Sequence, residues 1–387
     1  MELTNKQYTG LKIAVSRYKE HQPYTSIAGY AGTGKSTLIK FIIAELGIPN
    51  ENVAYVSFTG KAAQVLREKG CPNAQTAHKL LYKTFPRNGG RSFVHIPRPD
   101  LWPYRLIVVD EISMLPKEMW ELLMSHGVHV LALGDPGQLP PIGESNGVLD
   151  HPHVFLDEIM RQAAESEIIR LSMSVREGKP LRKFKGTEIN IVETKDVVSG
   201  MYGWADQIIC GKNETRKNIN TFNRKLLWND RYSTLPLEGD KIICLNNDWD
   251  IINEYGDALV NGAIGTLHNI HFYDDYLFKT KMMANFSPDT FDDSAQLDIN
   301  FYDLNMDYQL FLTGESFRNT YPTARIPKFT KLHEFDYGYA ITCHKSQGSE
   351  YGKVLLFEEV LRRDQHARWL YTGITRAKDK ITIVKQY

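Results

Sequence analysis

No apolar run in the 387 residues approaches the roughly 18 that a membrane-crossing helix needs. The N-terminal segment MELTNKQYTG is polar and carries no leader-like core. A soluble, cytoplasmic protein with no membrane partner is expected. Cysteine is scarce: Cys71, Cys210, Cys244 and Cys343 are scattered and form no C-x-x-C pair. That argues for a reducing compartment and against a disulfide framework or a zinc site. The close histidines His151 and His153 lack further ligands nearby, so a loop is expected there rather than a metal cage. Net charge is absent too, with 46 basic and 46 acidic residues. A nucleic-acid partner is neither supported nor excluded by that balance, because placement of charge decides. Residues 271–310 hold eight Asp and two Lys with no Arg or Glu, so this aromatic-rich stretch should not track a phosphate backbone.

What is present is enough for several cores. The length suggests two to four domains, and 42% of the residues are hydrophobic. Short apolar runs at Tyr24–Gly29, Asn52–Phe58, Arg105–Asp110 and His129–Asp135 alternate with helical stretches. That pattern predicts an α/β fold with a parallel sheet covered on both faces. Ligands should collect at the carboxyl ends of such strands. Further strand candidates are Gln207–Gly211, Lys353–Phe357 and Lys380–Lys385, and 239–329 reads as a small all-β insertion. The stretch 83–104 carries a hairpin signal at Asn88-Gly89-Gly90, with Arg87, Arg91, Arg98, Phe85, Phe93 and Trp102. A projecting β-hairpin and a plain surface loop are both compatible with it.

The stretch SIAGYAGTGKSTLIKF, 26–41, carries the first chemistry. Gly29, Gly32, Gly34, Lys35 and Ser36 fit G-x-x-x-x-G-K-[ST] between an apolar run and a helix that ends at Gly47. Gly29, Gly32, Thr33, Gly34, Lys35, Ser36 and Thr37 form the predicted nucleotide-binding segment. Its glycines let backbone N–H groups surround an anion, Lys35 reaches the β/γ-phosphates, and the Ser36 hydroxyl sits on Mg²⁺. In LIVVDEISM, Asp110 and Glu111 end a buried strand, where an acidic pair without partners is unfavourable. Asp110 is placed to hold Mg²⁺ and Glu111 to activate water. In ALGDPGQLPPI, Gln138 offers an amide to the γ-phosphate, with Asp135 beside it.

Together with LTNKQ before the first strand, these motifs resemble superfamily 1 helicases, and most closely the RecD/Dda-like branch, superfamily 1B. VSFTGKAAQVL (56–66), AQTAHKLL (74–81), LDEIMRQ (156–162), YAITCHKSQGSE (339–350) and LYTGITRAK (370–378) match its motifs in order and spacing. The resemblance covers residues 3 to 378. It implies two RecA-like motor domains, at 1–155 and at 156–238 with 330–387. It also implies a β-hairpin pin at 83–104 in the first and an SH3-like insertion at 239–329 in the second. Gln7 would read adenine, Arg161 and Arg376 would be arginine fingers, and Glu350 would touch the ribose. Thr59, Lys61, His78, Phe93, Asn213, Asn220, Thr342 and His344 would contact DNA.

The cofactors implied are ATP and Mg²⁺, and the partners are single-stranded and forked duplex DNA. A single-strand-binding, replication or recombination protein is a further candidate partner, and a monomer is expected. The activity implied is ATP-driven 5′–3′ translocation with unwinding. Base stacking of about 1–3 kcal/mol per base would hold the strand, and each opened base-pair step takes about 1.4 kcal/mol. A single-strand-stimulated ATPase that switches a complex without processive unwinding stays open as an alternative, as does an unrelated P-loop kinase or ATPase.

Overall fold

A computed structural model of the chain describes residues 3–71, 73–87, 90–95, 104–140, 144–246, 248–252, 258–275, 279–289, 302–313, 316 and 332–386. The chain divides into two compact units. One comprises Met1–Lys83, His95–Val197 and Ser346–Tyr387, the other Thr84–Val94 and Val198–Lys345.

In the first unit, α1 (Asn5–Lys19) starts at a capping box: the Thr4 hydroxyl accepts from Gln7 N, and Gln7 Oε1 accepts from Thr4 N. Strand β1 (Tyr24–Gly29) leads into α2 (Lys35–Leu46), which stops at Gly47 in the left-handed region. There follow β2 (Val53–Ser57), α3 (Gly60–Glu68), β3 (Gln75–Thr76) and α4 (Ala77–Leu81). Strands β4 (Tyr82–Arg87) and β5 (Gly90–His95) form a two-stranded sheet of their own. The Asn88-Gly89 turn, Arg98 and Trp102 lie outside the described residues, as do the side chains of Phe85, Arg87, Arg91 and Phe93.

Next come β6 (Leu106–Val109), α5 (Lys117–Ser125), β7 (His129–Gly134) and β8 (Val154–Leu156). Their sheet has the order β3-β2-β6-β7-β1-β8 and is parallel throughout, as the alternating pattern predicted. The period-2 alternation of a strand sorts its two faces. Val53 and Tyr55 join Leu38, Ile42 and Leu66 in one core, while Ala54 and Val56 join Leu80, Leu81 and Leu123 in the other. With both faces covered, the strands read as continuous apolar runs. The unit continues with α6 (Arg161–Ala164), α7 (Glu167–Arg176), β9 (Phe184–Lys185) and β10 (Ile189–Glu193).

The second unit holds α8 (Gly200–Trp204), β11 (Gln207–Cys210) and α9 (Asn213–Trp228). After them run β12 (Lys241–Cys244), β13 (Asp248–Ile252), β14 (Ala258–Leu259), β15 (Ile264–Asp275), β16 (Lys279–Pro288) and β17 (Tyr302–Met306). Helix α10 (Tyr308–Thr313), β18 (Phe335–Tyr337) and β19 (Ala340–Thr342) complete it. An antiparallel sheet of order β17-β16-β15-β12-β18 surrounds a core in which the Phe286 and Phe335 rings meet edge-on at 4.9 Å. Residues 290–301 of the acidic stretch lie outside the described residues.

The chain then returns to the first unit as β20 (Tyr351–Phe357), α11 (His366–Ile374) and β21 (Ala377–Lys385). There β21 runs parallel between β10 and β20. Among the described residues no helix is long and apolar enough to cross a membrane.

Candidate functional site

The loop between β1 and α2 owes its shape to glycine. Gly32 and Gly34 stand at φ of 77° and 78°, and a Cβ on Gly34 would collide with Gln7 Nε2. A glycine-shaped turn running into a helix N-terminus is the arrangement that holds anions. Lys35 Nζ spans the loop, donating to Gly29 O at 2.7 Å and Tyr30 O at 3.1 Å. Thr33 Oγ1 donates to Tyr30 O at 2.8 Å. Gln7 is buried, and its amide donates to Thr33 O at 3.1 Å and Met160 Sδ at 3.3 Å. Both amide hydrogens are used inside the protein. In this structure Gln7 braces the loop.

The acidic end of the site lies beyond β6. Ser36 and Asp110 face one cavity of about 510 Å³. Burial lifts the Asp110 carboxyl above the usual carboxylate range, and the Glu111 charge adds to this while Lys35 opposes it. Glu111 sits at φ 53° and ψ 47°, left-handed for a residue with a Cβ. Such backbone is strained by about 1–3 kcal/mol and gathers at functional sites. Its Oε1 lies 3.4 Å from Gln138 Nε2, while Glu111 Oε2 and Gln138 Oε1 are buried acceptors with no donor among the described residues. The two orphaned oxygens, one of them on the residue next to Asp110, suit a hydrated hard cation such as Mg²⁺, whose waters supply the missing donors.

The C-terminal segment reaches the same loop. Tyr371 on α11 is buried; its hydroxyl accepts from Ala31 N at 2.8 Å and donates to Asp135 Oδ2 at 2.5 Å. Asp135 Oδ1 accepts from Gly137 N at 2.8 Å. Thr372 Oγ1 accepts from Leu139 N at 2.9 Å, and Gln347 Nε2 donates to Leu139 O at 2.9 Å. Arg376 is buried with its guanidinium on Thr372 O, Ser349 O and Thr375 Oγ1. Met160 N donates to Gly32 O at 3.0 Å, which brings the backbone of Arg161 beside the loop; the Arg161 side chain lies outside the described residues. Glu350 is exposed and paired with Lys69 at 3.4 Å.

Sequence reasoning missed Tyr371, although it stands five residues before Arg376 in one motif. It also missed Arg176, whose guanidinium lies 3.4 Å from the centre of the Tyr30 ring and has no local pattern to announce it.

The candidate strand contacts fall in both units. Thr59 caps α3, accepting from Ala62 N at 3.2 Å. His78 lies 6.0 Å from the Phe58 and Tyr82 rings, and burial lowers its pKa, so it offers a neutral ring rather than a cation. His344, half-buried, is shifted the same way, and Thr342 is buried at the end of β19. Asn213 opens α9 and accepts from Arg216 Nε at 3.3 Å. Asn220 is 2% exposed. Its amide donates to Tyr337 O and Ala340 O and accepts from Ala340 N. That side chain ties α9 to the β18–β19 connection, with both amide hydrogens committed to main-chain carbonyls. The side chains of Lys61 and Phe93 lie outside the described residues.

A parallel sheet with this loop at its carboxyl edge defines a P-loop nucleotide-binding protein. The family model for the AAA domain matches residues 3–199, and that for the UvrD-like helicase C-terminal domain matches 337–384. The chain belongs to the AAA-domain family.

It is 27% identical over 383 residues to the ATP-dependent RecD2 DNA helicase of Deinococcus radiodurans, covering 92% of this chain and 46% of the relative. It is 29% identical over 194 residues to the ATP-dependent DNA helicase dda of Enterobacteria phage T4, covering 46% and 43%. The chain thus spans less than half the length of these curated relatives. Among solved structures, Bacteroides Pif1 bound to ssDNA shares the fold with a TM-score of 0.54 at 16% identity, covering 100% of this chain and 92% of that one. Pif1 helicase from Candida albicans does so at 0.52 and 17%, covering 100% and 95%.

Proposed function

We propose that the protein is an ATP-dependent DNA helicase that moves 5′ to 3′ on single strands and couples Mg-ATP hydrolysis to duplex opening. One observation carries this reading. The phosphate loop, the strained Glu111 with its orphaned oxygen, and Gln138 converge, and the C-terminal Tyr371 reaches the same loop. Relatives named as ATP-dependent DNA helicases, and a neighbour solved on ssDNA, support the substrate.

In this reading Lys35 neutralises the phosphates, Ser36 and Asp110 hold Mg²⁺, and Glu111 takes the proton of the attacking water that Gln138 orients. Arg376 and Arg161 stabilise the transition-state charge, and Glu350 and Gln7 flank the nucleoside. Thr59, Lys61, His78, Asn213, Thr342 and His344 line the strand, with His78 and His344 acting as neutral rings. We read 1–155 and 156–238 with 330–387 as the two motor domains. Residues 239–329, supported by the antiparallel sheet, form the SH3-like insertion, and 83–104, supported by the β4–β5 pair, the strand-separating pin.

The test is ATP turnover with and without single-stranded DNA, followed by unwinding of forked duplexes with 5′ or 3′ tails. Strong stimulation and preference for the 5′ tail are expected. Stimulation without strand displacement would leave a switching ATPase, and no stimulation would remove the DNA reading.

A further inference from the structure

Away from the phosphates, one stripe of α2 borders a cavity. Its residues Ser36, Ile39, Lys40, Ile43 and Ala44 follow the i, i+3, i+4, i+7, i+8 spacing of one helix stripe. Ile39 and Ile43 are buried in the core that Tyr55 and Leu66 share, and all five residues line a cavity of about 510 Å³. The floor includes the cross-strand pair Tyr55 and Val108. Leu66 and Cys71, on α3 and just beyond it, stand on the far side. The volume lies within the range of small-molecule sites, and the apolar lining with a few polar groups is their usual composition.

A second observation points to an occupant. Tyr55 is 7% exposed and lines this space, and its hydroxyl has no hydrogen-bond partner among the described residues. A hydroxyl that opens onto the cavity from a mostly buried tyrosine offers a hydrogen-bonding position to an occupant. Lys40, exposed at the rim, has no ion-pair partner among the described residues.

We propose that this cavity is a binding site for a small amphiphile with an apolar ring body and one anionic group. The body fills the space between Ile39, Ile43 and Leu66, a polar atom meets the Tyr55 hydroxyl, and the anion meets Lys40. Because Ser36 and Asp110 form its inner end, occupancy is linked to the nucleotide's metal; that linkage, unlike the site itself, rests on the proposed function.

Cys71 is the built-in reporter, since Cys210, Cys244 and Cys343 are buried. The full chain is pulsed with iodoacetamide at increasing 1-anilinonaphthalene-8-sulfonate, and alkylation of each cysteine is read by peptide mass spectrometry. Saturable protection of Cys71 is expected, with alkylation slowed about fivefold or more while the buried cysteines stay unlabelled. Ala44→Phe, which fills the mouth from the helix surface, should abolish protection, and Lys40→Glu should weaken the probe at least threefold. Undiminished Cys71 labelling in the wild type, or protection retained in Ala44→Phe, overturns the site. Adding Mg²⁺ with a non-hydrolysable ATP analogue should weaken the probe at least twofold. Unchanged probe affinity under confirmed nucleotide binding overturns the linkage, and failure of the nucleotide to bind counts against the proposed function instead.

Discussion

Two buried charged clusters in this protein are built to opposite specifications. In the second unit Arg224 and Asp240 are 1% and 0% exposed, and the Asp240 carboxylate accepts from Arg224, Trp228 Nε1, Leu237 N and Tyr339 OH. The guanidinium also donates to Ser233 O and Leu235 O. Every group has a partner of matching geometry, and the cluster ties α9 to the entry of β12. At the phosphate-loop sheet the buried acids lack that completeness. Glu111 holds a left-handed backbone, one of its oxygens and one of Gln138's have no donor among the described residues, and the Asp110 and Asp135 carboxyls are pushed above their usual range by burial. A closed network holds a fold, whereas an open one leaves positions for a ligand to complete. Substitutions should therefore separate the two, rate falling at one cluster and stability at the other.

The largest separation should come from Arg376. An arginine finger, the role proposed for Arg376, contributes about 10³–10⁵ in rate where such residues are known. Arg376→Ala should lose turnover on that scale, while nucleotide and DNA affinities fall much less. Arg376→Lys should rescue poorly, because an ammonium cannot span Ser349 O and Thr372 O as the planar fork does. Near-normal DNA-stimulated turnover in the alanine variant would remove Arg376 from the chemistry.

Glu111→Gln comes next. It keeps the shape and removes the proposed base, so turnover should drop by about 10²–10⁴. Binding of ATP, measured by equilibrium titration, should persist, and the unfolding midpoint should not fall, since the strained acid is a liability to the fold. A variant that unfolded early would place Glu111 with the closed cluster after all.

Asp240→Ala should do the reverse. It strands the buried Arg224 guanidinium, a change that typically removes about 3–5 kcal/mol of stability. Denaturant titration should show that loss, with ATP turnover per folded molecule near wild type. Unchanged stability would mean that water or another acid replaces the carboxylate.

How much of this was legible beforehand follows the range of each interaction. The predicted strands Tyr24–Gly29 and His129–Asp135 match β1 and β7 to within a residue, because buried parallel strands write themselves as unbroken apolar runs. The two- and three-residue strands β3 and β8 were not read, being too short to show any period. The phosphate loop is local, so its residues were found together. Tyr371 meets Asp135 across 236 positions of sequence, and no window along the chain contains both. Asn220 was assigned outward from its motif, yet its side chain turned to the backbone because three unpaired main-chain groups lay within reach. Glu111 was visible as an acid, but its left-handed backbone was not.

Tyr371→Phe is the smallest expected effect and the finest test of the contrast, since it removes one oxygen from the open cluster. The hydroxyl accepts from Ala31 N in the phosphate loop and donates to Asp135. A hydrogen bond to a charged group contributes about 1.5–3 kcal/mol, so a fall of roughly tenfold in turnover is reasonable. Its signature should lie in the pH profile. Burial already holds the Asp135 carboxyl above the usual carboxylate range, and the Tyr371 hydrogen bond, which favours the ionised form, pulls it partly back. Without that donor the carboxyl should take a proton at higher pH. If the ionised form is the active one, the acid limb of kcat must move upward in the variant while the alkaline limb stays. A uniform loss of rate with an unmoved acid limb would show that the tyrosine supports α11 by packing alone, and would return this corner of the site to the closed class.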